Sequence, residues 1–408
     1  MLKAIKIRIY PNQEQTEYIN RLLGCCRFVY NQCLEYRKTK YEENKLTFNT
    51  TQTVNYLTVL KGEYEFLKEV HSKVLQQSVR NLCTAYDNFF KLKKGYPKFK
   101  SKKDKQSCRF PKDAFIGING NRISLIKQLK SMHFKCSRKD EKYVNKRKEY
   151  IHSLTLTKSK SNKFYLSILI DFTPLQKKHN ENIVGIDMGI KDFVITSDCE
   201  YYKNRHFYKE NKKKLVKLQR EFSKKIKGSK NRDKVRIKIA KLNEKISNCR
   251  KNYIHLITSK LINENQVICV EDLNVKGMLK NHKLSQSIQD VAIGDFFKIL
   301  EYKCSIYGRK LVKVDRFFPS SKRCNHCGYI NKELKLNDRQ WLCPQCGHNI
   351  NRDLNAALNI KNEGIRIIGL SSPELTLVDY PTMDDRSEMN LKSSDRLKQE
   401  KNDFIDFQ

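Results

Sequence analysis

The sequence predicts a multidomain protein of the α/β class, and three observations support this fold class. Its 408 residues are enough for two or more domains with a sizeable core. The spacing of its apolar residues changes along the chain between the period of two of a strand and the three-to-four spacing of a helix. Near the C-terminal end, two C-x2-C pairs interrupt this alternation and lead directly into a helical pattern. Alternating strands and helices with a metal-type insertion indicate separate α and β units.

The charge of the chain indicates a polyanionic partner. Lys and Arg number 82 against 44 Asp and Glu, which gives a net charge of +38. Such an excess is typical of nucleic-acid binding, and we expect no membrane association because the sequence has no long apolar run. The sequence shows no secretory signal pattern, and most of its 14 cysteines are scattered without a pairing pattern. We therefore expect a reducing, cytoplasmic setting.

The N-terminal part predicts one strand followed by helices. Residues 2–10 alternate apolar and charged side chains, as a strand does. Apolar residues at spacings of three and four then predict helices from residue 13 to about residue 94. The polar side of the later helix carries Lys73, Gln77 and Arg80, which form either a solvated face or a surface that contacts DNA.

A short segment that mixes aromatic residues with lysines follows these helices. Its residues Tyr96, Lys98 and Lys100 are of the types that stack on bases and neutralise phosphates.

Several short strands are predicted from residue 107 to about residue 172, with residues 116–120 as a turn. We expect these strands and the N-terminal strand to form one β domain, over residues 1–11 and 100–175. The helices of residues 12–99 would then form a separate lobe.

Two carboxylates follow strongly apolar strands. The run from residue 183 to 186 ends in Asp187 and is followed by a second strand, which predicts a buried hairpin. The run from residue 267 to 270 ends in Glu271. A buried carboxylate without a partner is costly, so we expect Asp187 to bind a cation.

A long basic segment, residues 203–262, separates these two strands. Its helical pattern is broken at residues 228–231, which predicts a helical hairpin. The charged faces could simply be solvated, but the excess of Lys over Glu favours a nucleic-acid channel.

Four cysteines form a predicted zinc site. The two pairs, with fifteen residues between them, are Cys324 with Cys327 and Cys343 with Cys346. Four thiolates make a closed tetrahedral site, so we expect zinc to hold structure and to take no part in chemistry. The alternatives are two disulfides or four unrelated core cysteines. His326 and His348 lie inside the pairs and would be redundant as ligands.

A helix is predicted directly after this cage. Asn351 is a good N-cap, and Gly364 is of the type that ends a helix. Asp353 then lies in the first helical turn, where the helix dipole favours an ionised carboxylate.

Asp187, Glu271 and Asp353 occur in the order expected of an RNase H-like nuclease core. Two divalent ions about 3.5–4 Å apart need bridging and flanking carboxylates. Hard oxygen ligands select Mg²⁺ or Mn²⁺. Asp192 and Asp272 lie close in sequence to two of the three acids and are possible substitutes for them as metal ligands. The alternation of side chains along a strand should, however, point both away from the site.

Seven segments, taken in order, carry a family resemblance up to about Asn362. They are Lys6-x-Arg8-Ile9-Tyr10-Pro11, Gly24-x-x-Arg27-Phe28-Val29-Tyr30-Asn31, Gly95-Tyr96-Pro97-x-Phe99-Lys100, Gly185-Ile186-Asp187-x-Gly189, Val270-Glu271-Asp272-Leu273, Ser321-Lys322-x-Cys324-x-x-Cys327-Gly328 and Arg352-Asp353-x-Asn355-Ala356-Ala357. The chain resembles the TnpB family of transposon-encoded RNA-guided DNA nucleases, which are related to the compact type V CRISPR effectors.

The resemblance implies a domain plan. A RuvC-type nuclease core would occupy residues 181–318 and 349–366, including the basic hairpin, with a zinc ribbon inserted at 319–348 to bind target nucleic acid. The N-terminal β domain would be of the wedge type, and the helical lobe would serve recognition. The tail, residues 371–408, lacks periodicity and is predicted to be disordered.

The resemblance also implies residue roles. Asp187, Glu271 and Asp353 would be catalytic and hold magnesium or manganese, and the helix with Lys73 and Gln77 would contact the short motif beside the target. Asn351 stands where members often have Asp, which should not cost activity because the position is a helix cap.

The function implied is RNA-guided cutting of double-stranded DNA beside a short flanking motif, by an enzyme of an insertion sequence. Its partners would be a guide RNA from the transposon end and the target DNA, with a partner transposase in the same element as a further option. The protein would act in a prokaryotic cytoplasm, on the nucleoid when bound. The alternatives are a non-catalytic guided or zinc-ribbon repressor and a DNA-strand transferase.

Overall fold

A computed structural model of the chain describes residues 1–174, 177–281, 285–335 and 337–369. The tail that the sequence predicts to be disordered, residues 371–408, lies outside these residues. The chain divides into two units. The first unit comprises Met1–Lys178, Arg205–Lys260 and His282–Gly308, and the second comprises His179–Asn204, Leu261–Asn281 and the chain from Arg309 onward.

The described residues form both strands and α-helices. The strands are β1 (Leu2–Tyr10), β2 (Gln106–Pro111), β3 (Gly117–Asn119), β4 (Arg122–Ser124), β5 (Met132–Lys135), β6 (Ile151–Lys158), β7 (Phe164–Asp171), β8 (Ile183–Asp187), β9 (Asp192–Thr196), β10 (Tyr201–Lys203), β11 (Val267–Glu271), β12 (Lys310–Val314), β13 (Gln340–Leu342) and β14 (Asn349–Asn351). The helices are α1 (Gln13–Asn44), α2 (Thr50–Glu63), α3 (Ser72–Leu92), α4 (Arg138–Lys146), α5 (Phe207–Ser223), α6 (Lys230–Glu264), α7 (Val275–Met278), α8 (Ser285–Val291), α9 (Ile293–Tyr307) and α10 (Arg352–Ile368).

The first unit is built on a seven-stranded antiparallel sheet in the order β2-β6-β7-β1-β5-β4-β3. Strand β1 is central because it pairs with β7 on one side and with β5 on the other. Its residues Ile5, Ile7 and Ile9 are buried, as their alternation predicts. The predicted turn at residues 116–120 is wrong in part, because β3 occupies most of it. The chain turns at Gly120, whose φ of +54° favours glycine.

Helices α1, α2 and α3 follow the apolar stripes seen in the sequence. Asn12 and Asn49 close capping boxes at the starts of α1 and α2. Helix α3 buries Val74, Val79 and Leu82. The sequence does not reveal α4, because Val144 is its one buried residue and no apolar stripe marks it.

Helices α5 and α6 form the predicted basic hairpin, and apolar side chains from both pack together. Asp290 of α8 holds the start of this hairpin: its carboxylate accepts the Tyr208 N–H at 3.0 Å and an Arg250 N–H at 2.9 Å. Residues 205–260 fall in the first unit, whereas the sequence assigns the hairpin to the nuclease core. The functional domain boundaries stay a prediction.

The second unit is built on a five-stranded mixed sheet in the order β10-β9-β8-β11-β12. Strands β8, β9 and β10 are antiparallel neighbours, as the predicted hairpin requires, while β8, β11 and β12 run parallel. Helix α10 lies directly on this sheet. A Cβ added to Gly185 of β8 would stand 2.1 Å from the carbonyl oxygen of Ala357, so only glycine allows this approach.

The prediction that Gly364 ends the last helix is wrong. Helix α10 continues to Ile368 and is capped by Gly369, whose φ is +74°. Gly364 instead faces the sheet, where an added Cβ would stand 2.1 Å from the Sγ of Cys269. Its missing side chain therefore serves close packing and not a turn.

Candidate functional site

Two of the predicted acids lie side by side at one edge of the second sheet. Asp187 is the last residue of β8 and Glu271 is the last residue of β11. The two strands are parallel neighbours, and Ile186 pairs with Val270, so the residues that follow are adjacent at the carboxyl ends of the strands.

The third acid is brought to this edge by α10. Asn351 caps that helix, and its side-chain oxygen accepts the N–H groups of Asp353 and Leu354 at 3.2 Å. The predicted N-cap is thus confirmed, and Asp353 is the second residue of the helix. Because α10 packs on β8, Asp353 lies near enough to act electrostatically on Asp187.

Burial and neighbouring carboxylates raise the cost of ionising Asp187 and Glu271. Burial, followed by the charges of Asp353 and Glu271, raises the pKa of Asp187 to about 7, although the Met188 N–H and Arg352 act in the opposite direction. Burial and then the neighbouring Asp272 raise the pKa of Glu271. A group of carboxylates in this state would gain from a bound cation.

Arg339 is a neighbour of Asp353 that the sequence does not predict. An Nη of Arg339, the residue before β13, donates to both carboxylate oxygens of Asp353 at 3.0 Å. A single arginine fourteen positions before an acid carries no pattern, so only the fold reveals the pair.

The two substitute acids take other positions. The carboxylate of Asp272 pairs with the guanidinium of Arg316, as the predicted outward direction of its side chain allows. Asp192 begins β9, and its carbonyl oxygen accepts the Gly189 N–H at 3.1 Å to close the turn after β8.

The four cage cysteines converge on one point. Their sulfur atoms all lie within 4.8 Å of one another, with Cys324 3.8 Å from Cys346 and Cys327 3.5 Å from Cys343. Within the described ranges, no disulfide joins any of them. Burial raises the pKa of the Cys324 thiol to about 12, so a cation would be needed to ionise it near neutrality. The donor set fits a structural zinc ion.

The cage is the single group of three or more possible metal ligands found at this spacing in the part of the chain that the structure describes. The three acids do not form such a group among the described residues. A site for two ions about 3.5–4 Å apart requires a wider ligand set than a site for one ion. His326 and His348 stack on each other with their ring centroids 5.2 Å apart, and neither is a member of the cage.

Helix α10 is hydrogen-bonded to the backbone of the cysteine segment. The side-chain amide of Asn355 donates to the Arg323 carbonyl at 2.7 Å, and its oxygen accepts the Asn325 N–H at 3.0 Å. The amide of Asn359 donates to the Ser320 carbonyl at 2.8 Å. Both asparagines are buried. The helix that carries Asp353 is thus fixed to the cage, a role that the sequence alone did not suggest.

The residues predicted to bind nucleic acid lie in the first unit. Lys73 pairs with Asp113 at 2.5 Å, Gln77 is half-buried, and Arg80 is exposed. The Tyr96 hydroxyl contacts that of Tyr86 at 3.0 Å.

Both lysines of the same segment, Lys98 and Lys100, are exposed. The Nζ of Lys100 lies 3.6 Å from the ring centroid of Tyr30. Nucleic-acid contact by any of these six residues stays a prediction.

Across the described helices, none has both the length and the apolar character needed to cross a membrane.

Three sequence profiles match the chain. A profile described as "Probable transposase" matches residues 167–282, a "Cas12f1-like, TNB domain" profile matches residues 294–360, and a "Helix-turn-helix domain" profile matches residues 1–45.

Two curated relatives bear the name "Putative RNA-guided DNA endonuclease". The protein from Streptomyces pristinaespiralis is 37% identical over 366 residues, covering 89% of each chain. The protein InsQ from Escherichia coli K12 is 29% identical over 406 residues, covering 95% of this chain and 98% of its own.

Solved structures of compact Cas12 proteins share the fold. The chain in a Cas12f1–sgRNA–target DNA complex matches with a TM-score of 0.55 and 16% identity, over 89% of this chain and 99% of that one. The mini-RNA-guided endonuclease Casφ3 matches with a TM-score of 0.52 and 10% identity, over 91% of this chain and 94% of that one.

Proposed function

The chain belongs to the TnpB family, and from this premise we propose that it is an RNA-guided endonuclease that cuts double-stranded DNA. The observation that carries the proposal is the meeting of three acids from distant parts of the sequence. Asp187, Glu271 and Asp353 come together at the carboxyl edge of the second sheet, where Asp187 has a pKa of about 7. A protein that only bound DNA would have no need to hold three carboxylates together against their repulsion.

We assign the reaction to phosphodiester hydrolysis by a RuvC-type site. The three carboxylates offer hard oxygen donors, which suit Mg²⁺ or Mn²⁺. Asp187, Glu271 and Asp353 would hold two such ions, which when bound would supply activation of the attacking water and stabilisation of the leaving 3′ oxygen. The Arg339 guanidinium pairs with the carboxylate of Asp353. A guanidinium in that position is also suited to contact a phosphate brought to the acids.

The other parts of the chain fit the same proposal. The four-thiol cage would hold a structural zinc ion in a ribbon at residues 319–348, and the ribbon would fix α10 through Asn355 and Asn359. The first unit would supply the wedge-type β domain and the helical recognition lobe. Guide RNA and target DNA would bind over the basic surface, in keeping with the net charge of +38. The protein would work in the cytoplasm.

The proposal is tested by purifying the full chain from cells that also carry the ends of its insertion sequence. Sequencing of the copurified RNA should give one RNA species that ends in a variable guide. With Mg²⁺, this complex should cut a plasmid library only where the insert matches the guide beside one short motif. A complex with a guide that matches no insert is the control. Stable RNA and DNA binding without any cutting in Mg²⁺ or Mn²⁺ would favour the non-catalytic repressor.

A further inference from the structure

A cleft lies within the first unit, between α1, α3 and β2. Four cationic side chains line it, namely Arg27, Lys100, Lys105 and Arg109. The buried Cys26 and Val74 also line it. Of the described residues that line the cleft, none is acidic. Cations grouped in a recessed site produce a positive local field that attracts an anion.

Three of the four cations contact neutral groups. An Nη of Arg27 donates to the Gln106 side-chain oxygen at 2.9 Å, and an Nη of Arg109 donates to the Ser153 hydroxyl at 3.0 Å. Lys100 lies against the ring of Tyr30, and burial lowers its pKa.

No carboxylate in the described ranges lies within ion-pair distance of any of these four cations. The cleft therefore contains positioned positive charge without a counter-charge. Elsewhere in the same unit some exposed cations do pair with acids, such as Lys73 with Asp113.

The size of the cleft limits what it can accept. Its volume is about 40 Å³, and one water molecule needs roughly 10–15 Å³ on this measure. The cleft thus has room for about three water molecules, which is comparable to one phosphate group and too small for a nucleobase. Asn81 and Ser107 line it as exposed neutral hydrogen-bonding residues.

We propose that this cleft binds one backbone phosphate of a nucleic acid. The choice of nucleic acid over another anion rests on the proposed function, and the phosphodiester can come from the guide RNA or from duplex DNA. A phosphate contact of this kind fixes the register of the strand on the protein and carries no sequence information. The cleft is formed by α1, α3 and β2 of the first unit, whereas the three acids belong to the second unit.

Two matched pairs of variants of the full chain test the cleft. Ser107→Asp puts a carboxylate where the phosphate would bind, and Ser107→Ala is its control. Lys105→Gln removes one exposed cation of the cleft, and Lys139→Gln removes an exposed cation of α4 with the same change of net charge. The probes are a 20-nucleotide single-stranded RNA and a 20-base-pair DNA duplex of one arbitrary sequence. Dissociation constants are measured over a salt series without added Mg²⁺.

We expect Ser107→Asp to weaken binding of at least one probe about tenfold relative to Ser107→Ala, which is the size of a lost charge-assisted contact. For the same probe, Lys105→Gln should reduce the slope of log affinity against log salt concentration by about one relative to wild type. A loss confined to the RNA identifies the guide as the source of the phosphate, and a loss confined to the duplex identifies the DNA.

The proposed phosphate site would be overturned if the two variants of each matched pair bound both probes with equal affinity. If wild type still cuts guide-matched DNA, that result would leave the proposed nuclease function unaffected. A wild type that binds the probes through the cleft but cuts no DNA would instead overturn the nuclease alone. Lys105→Gln keeps the test decisive if Ser107→Asp does not fold, because Lys105 is exposed.

Discussion

The fold strongly alters the chemistry of Asp187. Burial and the charges of Asp353 and Glu271 place its pKa at about 7, against 3.8 for an ordinary Asp. The folded chain therefore holds more protons at this site than the unfolded chain does between about pH 4 and pH 7. Stability contributed by the protonated form is fully present below about pH 4 and is lost as the pH rises through 7.

This difference predicts how Asp187→Asn changes stability. Without added Mg²⁺, the variant should resist urea better than wild type at pH 8 and match it near pH 4, because the amide cannot ionise. The measurement is the urea midpoint of the second unit's transition across this pH range. Asp198→Asn, at a half-exposed acid of the same unit, should show no such pH-dependent difference from wild type. Parallel pH profiles for wild type and Asp187→Asn would contradict the assigned environment.

The residues of the candidate site differ in how far they could be predicted. Asp187 and Glu271 each end an apolar strand, and Asp353 follows a good N-cap, so local patterns were enough to select them. Arg339 could not be found in the same way. Its contact with Asp353 depends on how residues 337–351 return to α10, and no local pattern encodes that path.

At the scale of elements, α10 joins the parts of the candidate site. It carries Asp353, it lies on β8, and its asparagines are bonded to the cysteine segment. The sequence predicts the start of α10 but not its end. A glycine that permits a left-handed turn and a glycine that permits close packing look alike in a sequence, because both positions require only the absence of a Cβ.

The contact between α10 and β8 is tested by Gly185→Ala. The new Cβ would lie 2.1 Å from the Ala357 carbonyl oxygen and 2.6 Å from the Lys361 nitrogen, both in the helix backbone. Overpacking of this kind should cost about 1–3 kcal/mol or more and should strongly reduce cutting, since Asp353 would move from Asp187. Gly62→Ala is the control, because an added Cβ there meets no described atom within 4 Å. Wild-type cutting by Gly185→Ala would show that the approach is unnecessary.

The hydrogen bonds between α10 and the cysteine segment predict that loss of zinc would also disturb the position of Asp353. Cys343→Ser should lower bound zinc from one ion per chain to near none and should reduce cutting, because Asn355 and Asn359 lose the backbone that they bond to. His326→Ala should keep both zinc and cutting, since this ring lies outside the cage. Elemental analysis and a cleavage assay on the same preparations measure the two effects. Absence of stoichiometric zinc from wild type would contradict the cage.

At the scale of the whole molecule, composition predicts more than local pattern does. The net charge of +38 indicates a nucleic-acid partner before any element is assigned. The grouping of the basic hairpin with the first unit could not be predicted. It depends on long-range contacts such as the bonds from Ser161 and Tyr165 to Glu244, which join residues about eighty positions apart.

Binding and cutting should separate in this molecule. On the proposed function, affinity for nucleic acid would come from many phosphate contacts spread over a basic surface, whereas the chemistry would depend on three carboxylates. Calcium, which is larger and more flexible in its coordination than magnesium, should likewise permit binding and suppress cutting.

The most direct test is cutting of matched double-stranded DNA by the purified guide–protein complex in which one acid is changed. Asp187→Ala, Glu271→Ala and Asp353→Ala should each cut on the order of a thousandfold more slowly, because each removes several kcal/mol of metal-assisted stabilisation. Gel shifts should show guide and target binding close to wild type. Asp272→Asn, whose side chain pairs with Arg316, should still cut. Full cutting by Asp353→Ala would contradict the assignment of these acids and end the nuclease proposal.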